Sequence, residues 1–518
     1  MKRTFEYDNK ANLVSCKAGK IRGYREAGSL VFKGITYARA QRFHRPQPYV
    51  YEEEFDASNY GYVAPLLTND RPGGEVLVPH RYWPQDEDCL NLNIWTPDAD
   101  DKKRPVMVWL HGGGFFAGSS IEQLAYEGGN MSQRGDVVVV SLNHRLNILG
   151  FFDLSDFGPE YENSGNAGMD DIICALKWIR DNIGYFGGDP DNVTLFGQSG
   201  GGAKITCLLQ MHEADGLFSR GINMSGVITG TLCDCTDTEK GLAEAIMKDL
   251  GLSDIKELET VELHALISSY NKLSGAFMKA GKSIGQNPHV NSFYRGDPVI
   301  YGFRSESASV PLMVGSVFGE FYSFAHMPYD KRNMSAEEGR AFLREIFRRK
   351  KEPMEILEKL LEEFEKAYPE RNPVDLYTLD TIFRKGEQKY ILDRAAICPG
   401  GTYSYMFNVD MPVDGGRTPW HCADIPYVFA NTCLCPYTWD EDVRQELEDS
   451  IFGAVMAFAR TGSPETNKTG NWPACTMDTD NIMVINADGW QLRPDFDKEL
   501  IPMASEHDLH MEIGEIQH

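Results

Sequence analysis

Between Phe186 and Gly201 the chain can adopt very few conformations. A short apolar run, Val193 to Phe196, leads into Gly197-Gln198-Ser199-Gly200-Gly201, and a helix-capable run, Ala203 to Gln210, follows. A serine set between a strand and a helix, with glycine two positions to either side, can occupy a strained turn that holds its hydroxyl up and exposed. Glycine is needed there because strand and helix approach too closely for side chains. The five-residue pattern is weak by itself in a chain with 49 glycines. Its weight comes from the strand before it and the helix after it.

The surrounding sequence extends that frame. Residues 20–48 carry glycine turns between short β-prone runs and predict an opening meander. Glu87 to Trp95 alternates as a strand. Val106–Leu110 and Asp136–Ser141 are continuous apolar runs, the pattern of strands buried on both faces. A helix is expected over Met169–Ile183, with Ile172, Leu176, Ile179 and Ile183 on one face. Strands are expected again at Arg220–Met224, Val310–Gly315, Thr402–Val409 and, as a last edge, Ile482–Ile485. Asp440–Arg460 reads as a helix stopped by Gly462 and Pro464. Strand and helix alternate, so the expected fold class is α/β, with a mostly parallel central sheet covered by helices on both faces. No internal repeat or low-complexity linker divides the chain. Residues 1–518 are expected to form one catalytic domain, with helical cap or side insertions near 236–300 and 325–395, and the pocket walls are expected from residues 236–300 and 322–380.

A serine hydroxyl is a poor nucleophile until a base takes its proton, and the base needs a carboxylate to fix its tautomer. Successive strand ends deliver these in the order serine, acid, histidine. The acid candidate is Glu320, just past the strand at 310–315. The base candidate is His421, in a late loop after the strand at 402–409. His326 follows the acid too closely to come from a later strand, and His507, His510 and His518 lie in a polar tail. Gly112-Gly113-Gly114 follows a buried strand and offers bare backbone N–H groups to an oxyanion, as does Gly200. No Gly-Lys-Ser/Thr follows that tract, so it is not a phosphate loop.

Composition narrows the class further. The net charge of −25 opposes binding to nucleic acid and to anionic membranes. No apolar run is long enough to span a bilayer, and Met1–Asp8 lacks the apolar core of a secretory signal, so a cytoplasmic protein is expected. The eleven cysteines are odd in number and dispersed, and are read as reduced thiols. The pairs Cys233/Cys235 and Cys433/Cys435 lack the usual zinc spacing, so neither metal nor cofactor is expected.

These residues resemble the type-B carboxylesterases, a family of α/β-hydrolases that includes cholinesterases and bacterial para-nitrobenzyl esterases. The resemblance covers nearly the whole chain. It rests on the 186–201 stretch, Glu87-Asp88-Cys89-Leu90 to Trp95, His111–Phe115, Asn143-His144-Arg145 and His421–Phe429. It implies a serine carboxylesterase acting on small-molecule esters, with Ser199, Glu320 and His421 as triad and Gly113, Gly114 and Gly200 as oxyanion donors. It also implies supporting roles for Ser225 and Asp424. Gln198 stands where many members have Glu, Gly200 where many have Ala, and His144 where Tyr is usual. Cys89 has no cysteine in the preceding loop, which fits a bacterial, intracellular form. Trp83 lies too near Cys89 to match the choline-binding tryptophan, so a loop tryptophan is expected. Two other readings use the same features: a non-catalytic adhesion or binding protein on this fold, and an amidase or thioesterase with the same triad. Oligomeric state is open.

Overall fold

The computed structural model describes residues 5–6, 8, 12–68, 77–228, 235–324, 327, 329–440 and 443–507. Cys233, His326, His510, His518 and Met1–Thr4 lie outside these residues.

A twelve-stranded sheet runs through the molecule. Its strands are β1 (Phe5–Glu6), β2 (Tyr24–Glu26), β3 (Ser29–Thr36), β4 (Asn91–Thr96), β5 (Arg104–Leu110), β6 (Val138–Leu142), β7 (Gly188–Gln198), β8 (Arg220–Met224), β9 (Leu312–Val317), β10 (Thr402–Phe407), β11 (Asn481–Asn486) and β12 (Gly489–Pro494). Their order in space is β1-β2-β3-β4-β6-β5-β7-β8-β9-β10-β11-β12. From β6 to β11 every pairing is parallel; the pairings from β1 to β6 that flank this block, and the β11–β12 pairing, are antiparallel. This is the mostly parallel α/β sheet expected from the sequence.

The apolar runs are buried on both faces because each strand alternates between two cores. Val106, Val108 and Leu110 of β5 enter one; Met107 and Trp109 enter the other. On the first face lie helices α1 (Ala167–Asn182) and α2 (Gly200–Leu209), contributing Ile172, Leu176, Ile179, Ile205 and Leu208. The insertion near 236–300 adds α3 (Lys240–Leu250) and α4 (Leu263–Lys279), which close a separate core with Phe43, Ile148 and Phe152. The insertion near 325–395 adds α5 (Ala336–Lys350), α6 (Met354–Ala367) and α7 (Arg384–Ile397). Helices α5 and α6 pack Leu343, Phe347, Leu360 and Phe364 against Phe318, Met406 and Ile482. Helix α8 (Arg444–Thr461) covers the second face of the sheet through Ile451, Phe452 and Val455, and ends at Gly462 with φ of 80°. No helix among the described residues is long and apolar enough to cross a membrane.

Two strand expectations need correction. β4 begins at Asn91 and is buried at all six positions rather than on alternate ones. Leu92 and Ile94 enter the first core and Trp95 the second, so both of its faces are covered. β11 is not the edge. Gly489–Pro494 returns antiparallel on it and leaves the edge to β12, whose mixed polar sequence hides the pairing.

Candidate active site

Ser199 stands where β7 ends and α2 begins, with φ of 57° and ψ of −126°. Its N–H donates to Met224 O at 2.8 Å, and its carbonyl accepts the first helical bond from Ala203 N at 3.0 Å. The glycines around it follow from contact. A Cβ at Gly201 would lie 2.0 Å from Leu110 O, and one at Gly200 would lie 2.2 Å from Gly114 O. Only glycine lets the elbow sit on the end of β5 and on the loop after it.

That loop, Gly112-Gly113-Gly114, turns with positive φ at Gly113 (83°) and Gly114 (60°). Beneath it lies Lys204, fully buried on α2, whose ammonium donates to His111 O at 3.0 Å and Gly114 O at 2.8 Å. A buried cation is costly unless paired, and here two carbonyl dipoles of the glycine loop receive it. The sequence alone gave no reason to single out this lysine.

Glu320 follows β9 and His421 follows β10. The two loops pair by a single bridge, Glu320 to Trp420, and His421 N donates to Glu320 O at 3.1 Å. This backbone contact sets the side chains face to face: Glu320 Oε2 lies 2.5 Å from His421 Nδ1. The other carboxylate oxygen accepts from Ser225 Oγ at 2.6 Å and from Val317 N at 2.9 Å. Burial drives the Glu320 carboxyl up from its ordinary value, while the Ser225 and Val317 bonds pull against it. Burial drives the His421 imidazole down. With Nδ1–H given to Glu320, a neutral His421 keeps its Nε2 lone pair for another proton. Ser199, Ser225, Glu320 and Cys422 all have positive φ. Four of the thirteen described non-glycine residues with positive φ thus meet at this site, where side-chain aim matters more than local comfort.

The imidazole is further confined on its faces. Phe383 stacks on it at 5.2 Å between centroids and 15° between planes, and Phe321 lies at 4.3 Å, tilted. The Gln198 amide nitrogen sits 3.3 Å from Nδ1 and 3.2 Å from Nε2. Near-equal distances place it against the ring rather than in line with either nitrogen. Cys422 Sγ donates to Gln198 Oε1 at 3.2 Å.

Asp424 does not meet His421 by any direct bond described here. Its Oδ2 accepts from Tyr405 Oη at 3.0 Å, and burial together with the nearby Glu320 charge pushes it up to about 7. Asp380 behaves likewise, pushed up to about 7 by burial and Glu320 although it accepts from the N–H groups of Ile382, Phe383 and Arg384. Those bonds hold the turn that presents Phe383 to the imidazole. Ser225 is therefore bonded to Glu320, while Asp424 is bonded to Tyr405 and acts on His421 by its charge.

Ser199, His421 and Gly112–Gly114 open on one cavity of 560 Å³. Its remaining wall is largely apolar, with Phe116, Tyr126, Ile228, Phe324, Ile382 and Phe383. The wall corrects one expectation. Helices α3 and α4 contribute nothing to it, because their apolar faces are spent on their own core. Residues 78–80 and 122–126, ahead of the elbow, supply that side instead. Trp83 stays outside, edge-on to Tyr60 at 5.6 Å, a loop tryptophan as expected. His144 is buried and stacks on His111 at 5.1 Å, so the replacement of the usual Tyr is structural here.

A strained serine between strand and helix, on a sheet of this order, places the molecule among the α/β-hydrolases. Residues 10–499 match the family model described as the Carboxylesterase family. Para-nitrobenzyl esterase of Bacillus subtilis (strain 168) is 31% identical over 493 residues, covering 92% of this chain and 95% of its own. Phenmedipham hydrolase of Pseudarthrobacter oxydans is 31% identical, covering 92% and 96%. Among solved structures, an esterase from the anaerobe Clostridium hathewayi, described as able to hydrolyse aliphatic aromatic polyesters, superposes with a TM-score of 0.92. It is 46% identical over 97% of this chain and 99% of that one. The chain belongs to the carboxylesterase family, and it is a serine hydrolase of carboxylic esters.

Proposed function

We propose that Ser199 is the nucleophile, His421 the general base and acid, and Glu320 the carboxylate that orients it. The observation that carries this reading is the 2.5 Å bond between Glu320 and His421, on the wall of the cavity that Ser199 enters. Ser199 Oγ attacks the ester carbonyl as its proton passes to His421 Nε2. The carbonyl oxygen takes up the negative charge against the backbone N–H groups of Gly113, Gly114 and Gly200. Lys204 supports this arrangement by holding the His111 and Gly114 carbonyls on the side away from the substrate. The alcohol leaves with the proton from His421. Water then attacks the acyl-enzyme, giving its proton to the same nitrogen, and the acid departs as Ser199 is reprotonated. Ser225 positions Glu320; Asp424, held by Tyr405, acts on His421 through its charge.

The aromatic wall of the cavity favours esters with an aromatic or bulky apolar group. The names of the para-nitrobenzyl and polyester-hydrolysing relatives support the same class. Small-molecule esters are the substrates on this reading; amide and thioester hydrolysis would use the same groups. Residues 1–518 act as one catalytic unit with two side insertions, of which only the second helps to wall the cavity. A reducing, cytoplasmic setting of bacterial type belongs to the same reading, in keeping with the odd number and dispersed spacing of the cysteines. Ser199→Ala is expected to fold, to lose turnover of para-nitrophenyl esters, and to take no fluorophosphonate. Retention of turnover, or labelling elsewhere than Ser199 in the parent protein, would overturn the assignment. A panel of aryl and alkyl esters, amides and thioesters tests the substrate class; a preference for short alkyl esters would count against the aromatic wall as the selector.

A further inference from the structure

Between Ser199 and Glu320 in the chain, Cys235, Glu239 and His289 converge. One ligand atom from each lies within 4.8 Å of the others. Glu239 and His289 are buried, at 1% and 2% exposure, and Cys235 is half-buried. The backbone holds them in place. Cys235 and His289 form an isolated parallel bridge, with Val290 N donating to Cys235 O at 2.8 Å. Asn166 grips the His289 backbone at both its N–H (3.0 Å) and its carbonyl (2.8 Å).

Both ring nitrogens of His289 face acceptors. Nδ1 lies 3.3 Å from Gly165 O, and Nε2 lies 2.9 Å from Glu239 Oε1. As an imidazolium it donates to both; a metal ion at Nε2 would take the place of the proton there and leave Nδ1–H on the Gly165 carbonyl. An N–H given to a backbone carbonyl, with the other nitrogen turned to a carboxylate and a thiol, is the usual posture of a metal-bound histidine. Glu239 is also supported as ligating carboxylates are: Ser283 Oγ and Gly285 N donate to its Oε1, and Asp153 N to its Oε2 at 2.6 Å.

We propose that Cys235, Glu239 and His289 bind a zinc ion, with water as the fourth ligand. Sulfur, imidazole and carboxylate together suit zinc better than magnesium or calcium, which take oxygen donors. Tetrahedral zinc with bonds of ~2.0–2.3 Å separates its ligands by ~3.3–3.8 Å, so the trio needs shifts of no more than about 1 Å. A neighbouring cavity of 450 Å³, lined by Asp156, Asp237 and Glu239, borders the trio at Glu239. The ion ties the chain just before α3 to the loop at His289. Its role is structural, since none of the three residues lines the catalytic cavity. The finding would also revise the expectation, drawn from the Cys-x-Cys spacing, that no metal binds here.

The test uses the full chain, purified, incubated with zinc and desalted. Elemental analysis is expected to give one zinc per chain, and cobalt in its place to give a thiolate-to-cobalt charge-transfer band. Cys235→Ser and His289→Gln are expected to lose the ion while keeping para-nitrophenyl ester turnover. Trace zinc only, a cobalt spectrum without the thiolate band, or zinc retained by both variants would overturn the proposal. If either variant fails to fold, the cobalt spectrum of the parent protein decides.

Discussion

At the scale of single residues, the site turns on what surrounds one imidazole. Buried between Phe383 and Gln198, His421 resists protonation, so it stays neutral below the ordinary histidine value of 6.5. As the proposed base, it must be neutral to act, so activity should be lost as pH falls through its pKa. The acid limb of the kcat/KM profile is therefore expected below pH 6.5. Gln198→Glu would place a carboxylate against the same ring. A nearby negative charge favours imidazolium, so the limb should move to higher pH. A limb that stays put in the variant would show that the amide does not bear on the base. The sequence marks Gln198 as a departure from the family pattern, but its contact with a residue 223 positions away appears only in the folded molecule.

At the scale of elements, the elbow is a steric device. Gly197 and Gly201 follow from the pattern itself; what presses on them does not. Gly201→Ala would drive a methyl to 2.0 Å from Leu110 O, a backbone atom that cannot step aside. We expect a severe loss of both stability and turnover, with a thermal midpoint well below that of Ser199→Ala. An equal midpoint for the two would refute the steric account. The strands were legible where apolar runs are continuous, as in β5 and β6, because burial on both faces demands them. β12 was not, because its mostly exposed residues carry no period and its place comes from pairing with β11.

At the scale of the whole molecule, one sheet separates two cores, and Trp109 anchors the second. Fully buried, it packs against Tyr126 at 4.8 Å and against Phe196 and Phe429 at 5.0 Å. Trp109→Ala should cost about 3–5 kcal/mol in denaturant unfolding, by lost burial and an unfilled cavity. A cost under about 1 kcal/mol would mean that this core repacks freely. By itself, the sequence determined the α/β class and marked the elbow, and it supplied the proposed order of serine, acid and histidine. Each depends on local backbone demands or on strand succession along the chain. Only the tertiary structure decided that Gln198 and Phe383 enclose His421, that Lys204 underlies the glycine loop, and which insertion walls the cavity. It alone brings Cys235 to His289. These are contacts between chemically ordinary residues far apart in the chain. They leave no periodicity or spacing behind, because packing and not local propensity selects them.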